Sequence, residues 1–441
     1  MRVHYHTFGC KANQYDTERM RQEAEARGAR TSSTREDADV VVVNTCTVTN
    51  QADAEARRFI RRVQREYPEA RIVVAGCSAA LREKDYREMA GVVDVVPGHD
   101  PVQVAGGISG AMHGRRLTQI ELRMGLDRID SEPIGGELLR QRVGASRGWL
   151  KVQDGCDRKC SFCATRLARG VSRSRPADDV VAEARLLADT HAELVITGIH
   201  IGHYGLDLEA NATLARLCSR LVDEVPDVRL RLGSVEATEV DDELLELLAA
   251  AGDRLAPHLH MPLQSGADPV LRRMRRWHTR EQYRVRALQI AERVEPLGLG
   301  ADVITGFPGE TEDDHRATRA LIEELPFTYL HVFPYSPREG TAATELSDPV
   351  PQRVAGERAR ELREIAMRKG EAHRGARRGE QATVVVEGEG GTGLTEDYLR
   401  VGIADSVNPG ERTPRIFRGT LLGDEDHLYI DPPRVSAGIR A

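Results

Sequence analysis

The sequence predicts an α/β protein in three parts: an N-terminal parallel α/β domain, a central partial (β/α)6 barrel and a small C-terminal all-β module. Three observations predict it. A strand-like run, a loop cysteine and a helix recur through the first hundred residues. Six further strand–helix alternations begin at Gly148. Beyond the helix that starts at Pro351 the texture changes to short Val-rich alternations among Gly and Pro. A chain of 441 residues, at ~150 residues per domain, also allows about three domains.

The first part reads as strands Arg2–Phe8, Val40–Asn44 and Ile72–Ala75, each running directly into a cysteine: Cys10, Cys46 and Cys77. Helices lie between them, Asp16–Arg27 stopped by Gly28 and Ala52–Glu66 ending before Pro68. The cysteines are 36 and 31 residues apart, about one βαβ unit each. A fourth strand, Val92–Val96, carries no cysteine. Parallel sheets place functional residues at the carboxyl ends of their strands, so the three cysteines should converge on one rim. The expected domain spans 1–110, followed by a Gly-, Arg- and Ser-rich linker at 111–145.

The second part, 146–372, reads as strands Leu150–Gln153, Leu194–Thr197, Arg229–Leu232, His258–Met261, Gly300–Ile304 and Tyr329–Phe333. The helices between them are Ala177–Asp189, Thr213–Asp223, Asp241–Ala251, Thr279–Val294 and Glu312–Glu324. Short connections favour an incomplete parallel barrel with active residues at strand C-termini; a two-faced open sheet is the alternative. An Arg-rich helix, Pro351–Arg374, leads to the third part, 373–441, with strands Gln381–Glu387, Tyr398–Ile403, Arg415–Leu422 and His427–Ile430.

Composition narrows the class. Apolar residues make up 40% and charged residues 30%, a soluble globular balance. Apolar runs are as short as Val40–Val43, whereas a transmembrane helix needs ~20 residues, so no membrane span is expected. The strand-like N-terminus lacks the apolar core of a signal peptide, and a cytoplasmic location is expected. The net charge of −7 means that contact with nucleic acid must rest on local basic patches. Only five of 62 basic residues are Lys, which reads first as an Arg-biased genome. Seven cysteines, an odd number, argue against a disulfide framework.

Cys156, Cys160 and Cys163 form C-x3-C-x2-C. Three thiolates in eight residues can hold three corners of a 4Fe–4S cluster and leave the fourth iron open. Zinc is the alternative, but structural zinc takes four protein ligands and no fourth sits nearby in sequence. Arg158, Lys159, Arg166, Arg169, Arg173 and Arg175 suit an anionic cluster or a polyanionic substrate.

The other strand ends carry softer signals. Thr197-Gly198-Ile-His-Ile-Gly-His-Tyr-Gly205 is a Gly-rich turn in which backbone can approach a cofactor, or simply a structural turn. Ser234 and Glu236 can hydrogen-bond a ribose or cap the next helix. Gln264 and Ser265 can present polar groups into the barrel mouth. Glu310, in Ile304-Thr-Gly306-Phe-Pro-Gly-Glu310, either contacts a ligand or is an early-turn residue favoured by the helix dipole. His258 and His260 share a strand face without a carboxylate or third His at ligand spacing, and read as satisfied polar residues. Cys218 sits at helical core spacing and reads as buried. Leu271-Arg-Arg-Met-Arg-Arg-Trp277-His-Thr-Arg280 is either a solvated face or a phosphate-and-stacking surface for RNA. The stretch 351–380 carries nine Lys/Arg against five Asp/Glu.

Val152-Gln-Asp-Gly-Cys156-Asp-Arg-Lys-Cys160-Ser-Phe-Cys163 resembles the cluster loop of the radical S-adenosylmethionine (SAM) enzymes. With Ala168-Arg-Gly170 it resembles their methylthiotransferase family, and the resemblance covers nearly the whole chain. Ala164-Thr165-Arg166 departs from the family's Ile-Ile-Pro-like stretch. The resemblance implies a radical SAM barrel, a C-terminal TRAM-type RNA-binding module, and SAM chelated by the open iron held through Cys156, Cys160 and Cys163. It implies a second 4Fe–4S cluster on Cys10, Cys46 and Cys77, matched in Phe8-Gly-Cys10, Asn44-Thr-Cys46 and Ala75-Gly-Cys77. It implies SAM contacts near Gly198 and in the Gly306–Glu310 turn, with Ser234, Glu236, Gln264 and Ser265 as further candidates at the strand ends. The implied activity is methylthiolation of RNA, needing an electron donor and a sulfur source. The expected macromolecular partner is the tRNA anticodon loop, and the C-terminal module is expected to be removable without loss of SAM cleavage.

Gly9-Cys-Lys-Ala-Asn-Gln-Tyr-Asp-Thr-Glu18 and Thr45-Cys-Thr-Val-Thr-Asn50, followed by Ala52-Asp53, are similar to the branch that acts on N6-threonylcarbamoyladenosine at tRNA position 37. An anionic threonylcarbamoyl group needs positive charge, which Arg57, Arg58, Arg61 and Arg62 are candidates to supply. The alternatives are isopentenyladenosine in tRNA, a ribosomal-protein aspartate, and a catalytically silent iron–sulfur RNA-binding sensor.

Overall fold

The computed structural model describes residues 1–113, 138–208, 211–387, 391–404, 415–424 and 426–430. Its first part is a parallel sheet in the order β2-β1-β3-β4-β5. The strands are β1 (Arg2–Thr7), β2 (Arg30–Thr31), β3 (Val40–Thr45), β4 (Arg71–Gly76) and β5 (Val92–Val95). Central β3 is buried along its whole length, as a parallel strand covered on both faces must be. Val40 and Val42 pack with Met20, Ala24, Val104 and Ile108 on one face, and Val41 and Val43 with Phe59, Ile60 and Val63 on the other.

The strands expected in this part lie within two residues of their predicted bounds. Four elements were not predicted, among them the five-residue helices Cys77–Leu81 and Glu83–Arg87. Strand β2 is only two residues long, too short for alternation to register. Helix Pro101–His113 runs across the expected domain boundary at 110, where no element was predicted. Its glycines dilute the pattern, yet Val104, Ala105, Ile108 and Ala111 form one buried stripe. Most of the expected linker, 114–137, lies outside the described residues.

The second part contains β6 (Arg147–Lys151), the two-residue hairpin strands β7 (Gln153–Asp154) and β8 (Arg173–Ser174), then β9 (Glu193–Thr197) and β10 (Arg229–Leu232). It continues with β11 (His258–His260), β12 (Gly298–Thr305) and β13 (Tyr329–Pro334). Two parallel triplets, β6-β9-β10 and β11-β12-β13, are joined by bridges between Leu230 and Leu255 and between Ser234 and His260. The result is one curved parallel wall of six strands, a partial barrel and not the two-faced open sheet.

The Arg-Leu-Arg-Leu sequence of β10 shows why the wall has an inside. Leu230 and Leu232 join the core under the surrounding helices, while Arg229 and Arg231 point inward to Glu193. The expected barrel helices are present at Ala177–Ala188, Leu214–Glu224, Asp242–Ala250, Arg280–Arg293 and Glu312–Glu324. The last two open with capping boxes, Thr279 with Gln282 and Thr311 with Asp314.

The C-terminal module is a closed barrel in the order β14-β15-β16-β18-β17. Its strands are β14 (Gln381–Glu387), β15 (Thr392–Leu394), β16 (Arg400–Ile403), β17 (Ile416–Gly423) and β18 (Leu428–Ile430). The three-residue β15 was not expected. The module is seated on the floor of the larger barrel: Arg229 donates to the Thr383 carbonyl at 2.7 Å, and Arg231 to those of Thr395 and Glu396 at 2.8 and 2.9 Å. Helix Gln352–Arg377 runs through the expected boundary at 373, and its His373 and Arg377 hold Asp397. Removal of residues from 373 onward would take away these carbonyl acceptors and leave Arg229 and Arg231 with Glu193 alone, a cost in stability for the barrel.

Candidate functional site

The hairpin β7/β8 closes the base of the loop that carries Cys156, Cys160 and Cys163. Cys156 N bonds the Gly170 carbonyl at 3.1 Å, so the loop returns on itself through helix Thr165–Arg169. Each sulfur has a polar neighbour. Cys156 Sγ lies 3.5 Å from His200 Nδ1, Cys160 Sγ 3.7 Å from Arg276 Nη1, and Cys163 Sγ 3.1 Å from the Thr165 hydroxyl. That last contact is what the departure Ala164-Thr165-Arg166 contributes. Burial pushes the Cys156 thiol up to about 12, so ligation of a cation would have to displace its proton.

Cys10, Cys46 and Cys77 follow β1, β3 and β4, at the carboxyl rim of the first sheet. Cys10 precedes helix Lys11–Ala26 and Cys77 opens helix Cys77–Leu81. Gly9 must be glycine: its φ is +98°, and a Cβ there would lie 2.6 Å from Cys46 Sγ. Asn13 ties the rim together, donating to the carbonyls of Phe8 at 2.9 Å and Thr45 at 3.0 Å.

Around one zinc, with Zn–S of about 2.3 Å, three sulfurs would stand about 3.8 Å apart. Among the described residues neither cysteine triad has its three sulfurs within 4.8 Å of one another.

Arg169 joins the two triads. It follows Cys163 on helix Thr165–Arg169, and its Nε lies 3.3 Å from Cys77 Sγ. Its other nitrogens donate to Asp154 at 2.9 Å, Asp16 at 2.8 Å and Asn13 at 2.5 Å. Lys151 completes the network with Asp16 at 2.7 Å and Asp154 at 2.5 Å. Burial alone would raise the Asp154 carboxyl, but Arg169 and Lys151 outweigh it and hold the group well below the usual range. Arg175 is equally buried and paired with Glu183 at 2.9 Å. Arg169 and Arg175 are therefore internal struts; of the two expectations, an anionic cluster or a polyanionic substrate, the Arg169 contact with Cys77 agrees with the first, and neither guanidinium is open to a substrate.

The strand ends beyond the loop divide into two groups. Near the cluster loop, Gly198 lies against the Gln153 carbonyl, which a Cβ would approach to 2.7 Å. Gln153 Oε1 accepts from the backbone of Ile199 and His200 at 3.1 and 2.8 Å. Glu236 pairs with Arg276, one residue removed from Cys160, and Ser234 is exposed at the end of β10. Trp277 lies between the guanidiniums of Arg158 and Arg276, 4.0 and 4.2 Å from its ring. Arg276 and Trp277 thus belong to the cluster loop's surroundings, while Arg272, Arg273 and Arg275 of the same stretch are exposed.

The second group is engaged within the protein. The Ser265 hydroxyl is buried 3.3 Å from that of Thr318, turned away from the barrel mouth. Gln264, at φ +64°, pairs through its backbone with Asp302 and Ile304. Glu310 accepts from Gly306 N at 2.6 Å and from Arg358 at 2.8 Å, while Thr311 caps the following helix.

Sequence reading missed a polar hub in the barrel interior. Asp302 and His331, from neighbouring strands, join His260, each His nitrogen 3.2 Å from Asp302 Oδ1. The carboxylate and third His expected to be missing are present, but 42 and 71 residues downstream, where no spacing rule would find them. Tyr329 hydrogen-bonds both His258 at 2.8 Å and His260 at 3.1 Å; His260 is satisfied as expected, whereas the buried Nδ1 of His258 has no partner among the described residues. Of the arginines considered for the substrate's charge, Arg58 and Arg62 line an outer groove of about 850 Å³ with Arg35, His6 and Phe59. Cys218 is fully buried in helix Leu214–Glu224.

No helix among the described residues is long and apolar enough to cross a membrane. Residues 2–98 match the uncharacterised protein family UPF0004, and residues 150–322 the radical SAM superfamily. The chain is 37% identical to the threonylcarbamoyladenosine tRNA methylthiotransferase MtaB of Bacillus subtilis, covering 82% of this chain and 79% of that protein. It is 35% identical to the protein of that name in Rickettsia prowazekii, covering 95% and 94%. It is also 36% identical to the tRNA-2-methylthio-N(6)-dimethylallyladenosine synthase of Sorangium cellulosum, covering 87% and 81%. Among solved structures, the radical SAM methyltransferase TsrM of Kitasatospora setae shares the fold, with a TM-score of 0.57 at 18% identity over 76% of each chain.

Proposed function

The chain belongs to the radical SAM tRNA methylthiotransferase family, and we propose that it converts N6-threonylcarbamoyladenosine at position 37 of tRNA to its 2-methylthio derivative. It is a sulfur-inserting transferase, which removes the silent-sensor reading. The reaction replaces an aromatic C2–H by C–S–CH3, and that hydrogen is far too weakly acidic for a side-chain base. SAM and the iron–sulfur clusters, when bound, supply the methyl group and the one-electron chemistry that side chains lack.

In this reading Cys156, Cys160 and Cys163 hold the cluster that binds SAM, and Cys10, Cys46 and Cys77 hold a second. The protein's own part is to fix the two sites against each other. Arg169 contacts Cys77 from the helix that follows Cys163, and this one contact supports the two-cluster reading most directly. Arg276 places positive charge beside Cys160, and the indole of Trp277 covers it. Gly198 and Glu236 border the same loop and are the SAM-side residues that the geometry favours; Ser265 and Glu310 are committed elsewhere.

The threonylcarbamoyl substrate is supported by the Bacillus and Rickettsia relatives, and the dimethylallyl substrate is the second reading because of the Sorangium relative. Nucleoside mass spectrometry of tRNA from cells with and without the gene tests the choice. Loss of the 2-methylthio-threonylcarbamoyl nucleoside alone supports the proposal. Loss of the dimethylallyl derivative, with the threonylcarbamoyl one retained, overturns it.

A further inference from the structure

Lys11 follows Cys10 and reaches out of the N-terminal domain toward the barrel interior. Its Nζ stands 6.0 Å from the ring centroid of Trp149 in β6 and 6.0 Å from that of Tyr398 in the C-terminal module. Among the described residues it makes no ion pair and no side-chain hydrogen bond. The surroundings are already cationic: Arg147 and Arg231 are close enough to repel it. Arg147, Arg229 and Arg231 share Glu193, and Arg147 also reaches Glu387 at 2.5 Å. Lys11, Arg147, Arg229 and Arg231 thus crowd around Glu193. Lys11 is half-buried, and Glu193, which attracts it, is already shared by three arginines, so the place favours a further anion.

The aromatic walls are held firmly. Trp149 Nε1 donates to Gln14 Oε1 at 3.0 Å, and the Tyr398 ring stacks on His258 at 4.2 Å. Tyr398 has a φ of +73°, a left-handed conformation costly for an aromatic residue. The neighbouring Asp397 is anchored by Arg377 and His373, which keeps that turn in place. All three parts of the chain therefore contribute to one chamber: a free cation between two flat rings.

We infer that this chamber receives the N6 substituent of the target adenosine, with Lys11 Nζ pairing with its carboxylate and Trp149 and Tyr398 flanking its planar carbamoyl group. The inference rests on the threonylcarbamoyl reading and deepens it by naming a specificity residue. A dimethylallyl group would leave the ammonium unpaired, and sites built to pair a polar group reject analogues that lack it.

The test compares binding of two tRNAs, identical except for threonylcarbamoyl or hydrogen on N6 of adenosine 37, to anaerobically reconstituted protein. Wild type should prefer the substituted tRNA by about tenfold to a hundredfold, as a charge-assisted hydrogen bond implies. Lys11→Met should bring the preference close to one with its iron content unchanged, and Lys11→Arg should keep most of it. Lys11→Met with undiminished preference overturns the assignment of Lys11 and leaves the substrate reading intact. So does loss of iron, because Lys11 would then serve the adjoining Cys10 site. A wild-type enzyme that converts only dimethylallyl-bearing tRNA overturns the substrate reading and this inference with it.

Discussion

Arg169 Nε lies 3.3 Å from Cys77 Sγ, a contact between two cysteine-bearing loops of different domains. The same guanidinium binds Asp154 at the base of the barrel loop and Asp16 on the helix that follows Cys10. One side chain thereby sets the distance between two sites that 79 residues of sequence, from Cys77 to Cys156, leave independent. A rigid mutual placement is what any transfer between them would require.

Arg169→Met should be severely destabilising. It would leave Asp16 and Asp154, both buried, sharing Lys151, with His99 at 3.9 Å from Asp16 and the Gly155 N–H on Asp154 besides. Breaking a buried ion pair from one side costs about 3–5 kcal/mol. Anaerobic urea denaturation measures this, and Arg169→Lys should recover part of the loss. A cost below about 1 kcal/mol, the surface-pair range, would mean that the network is solvated.

The two cysteine triads should separate in iron content. Wild type should bind about eight irons, and Cys156→Ala, Cys160→Ala and Cys163→Ala together should leave about four and abolish reductive SAM cleavage. The corresponding triple change at Cys10, Cys46 and Cys77 should also leave about four, with SAM cleavage retained and sulfur insertion lost. Full iron and full product in the second variant would make that triad structural.

Cys218 should be silent in both measurements. It is 0% exposed among Leu214, Leu217 and Leu221, and burial pushes its thiol up to about 12. Cys218→Ala removes one buried heavy atom, a loss of about 1 kcal/mol by comparison with similar core truncations. Thermal unfolding should show that small decrease, with iron content and product yield unchanged.

The fold was legible where burial repeats with a regular period. Arg229–Leu232 announces its two faces residue by residue, the unbroken Val40–Val43 run announces a strand covered on both, and the cysteines after three of the N-terminal strands announce their rim. Arg169 was legible as one of six basic residues near the cluster loop and as part of Ala168-Arg-Gly170, but its bridging role was not, because its partners come from positions 13, 16, 77 and 154. Asp302 and His331 are hidden for the same reason: parallel strands juxtapose residues whose separation reflects intervening helices, not chemistry. Ser265 and Glu310 show the converse limit. Their position at strand ends was read correctly, but Thr318 and Arg358 decide where their polar atoms point.

Glu193 gives the fold an acid limit with a definite sign. Burial raises its carboxyl, but Arg231 and Arg229 outweigh burial and hold it down to about 2, against about 4.3 in an unfolded chain. A carboxyl lowered on folding contributes stability that is fully present above the unfolded value and is lost as pH falls through the folded one. The shift corresponds to about 3 kcal/mol, lost between about pH 5 and pH 2. The loss should strike the seat of the C-terminal module first, because Arg229 and Arg231 carry both Glu193 and the carbonyls of Thr383, Thr395 and Glu396. Urea denaturation at stepwise lower pH, followed by Trp149 fluorescence, measures the slope. Glu193→Gln should be less stable near neutrality and lose less on acidification, which flattens the curve. An unchanged slope in Glu193→Gln would show that other carboxylates, Asp154 and Asp16 foremost, carry the acid sensitivity instead.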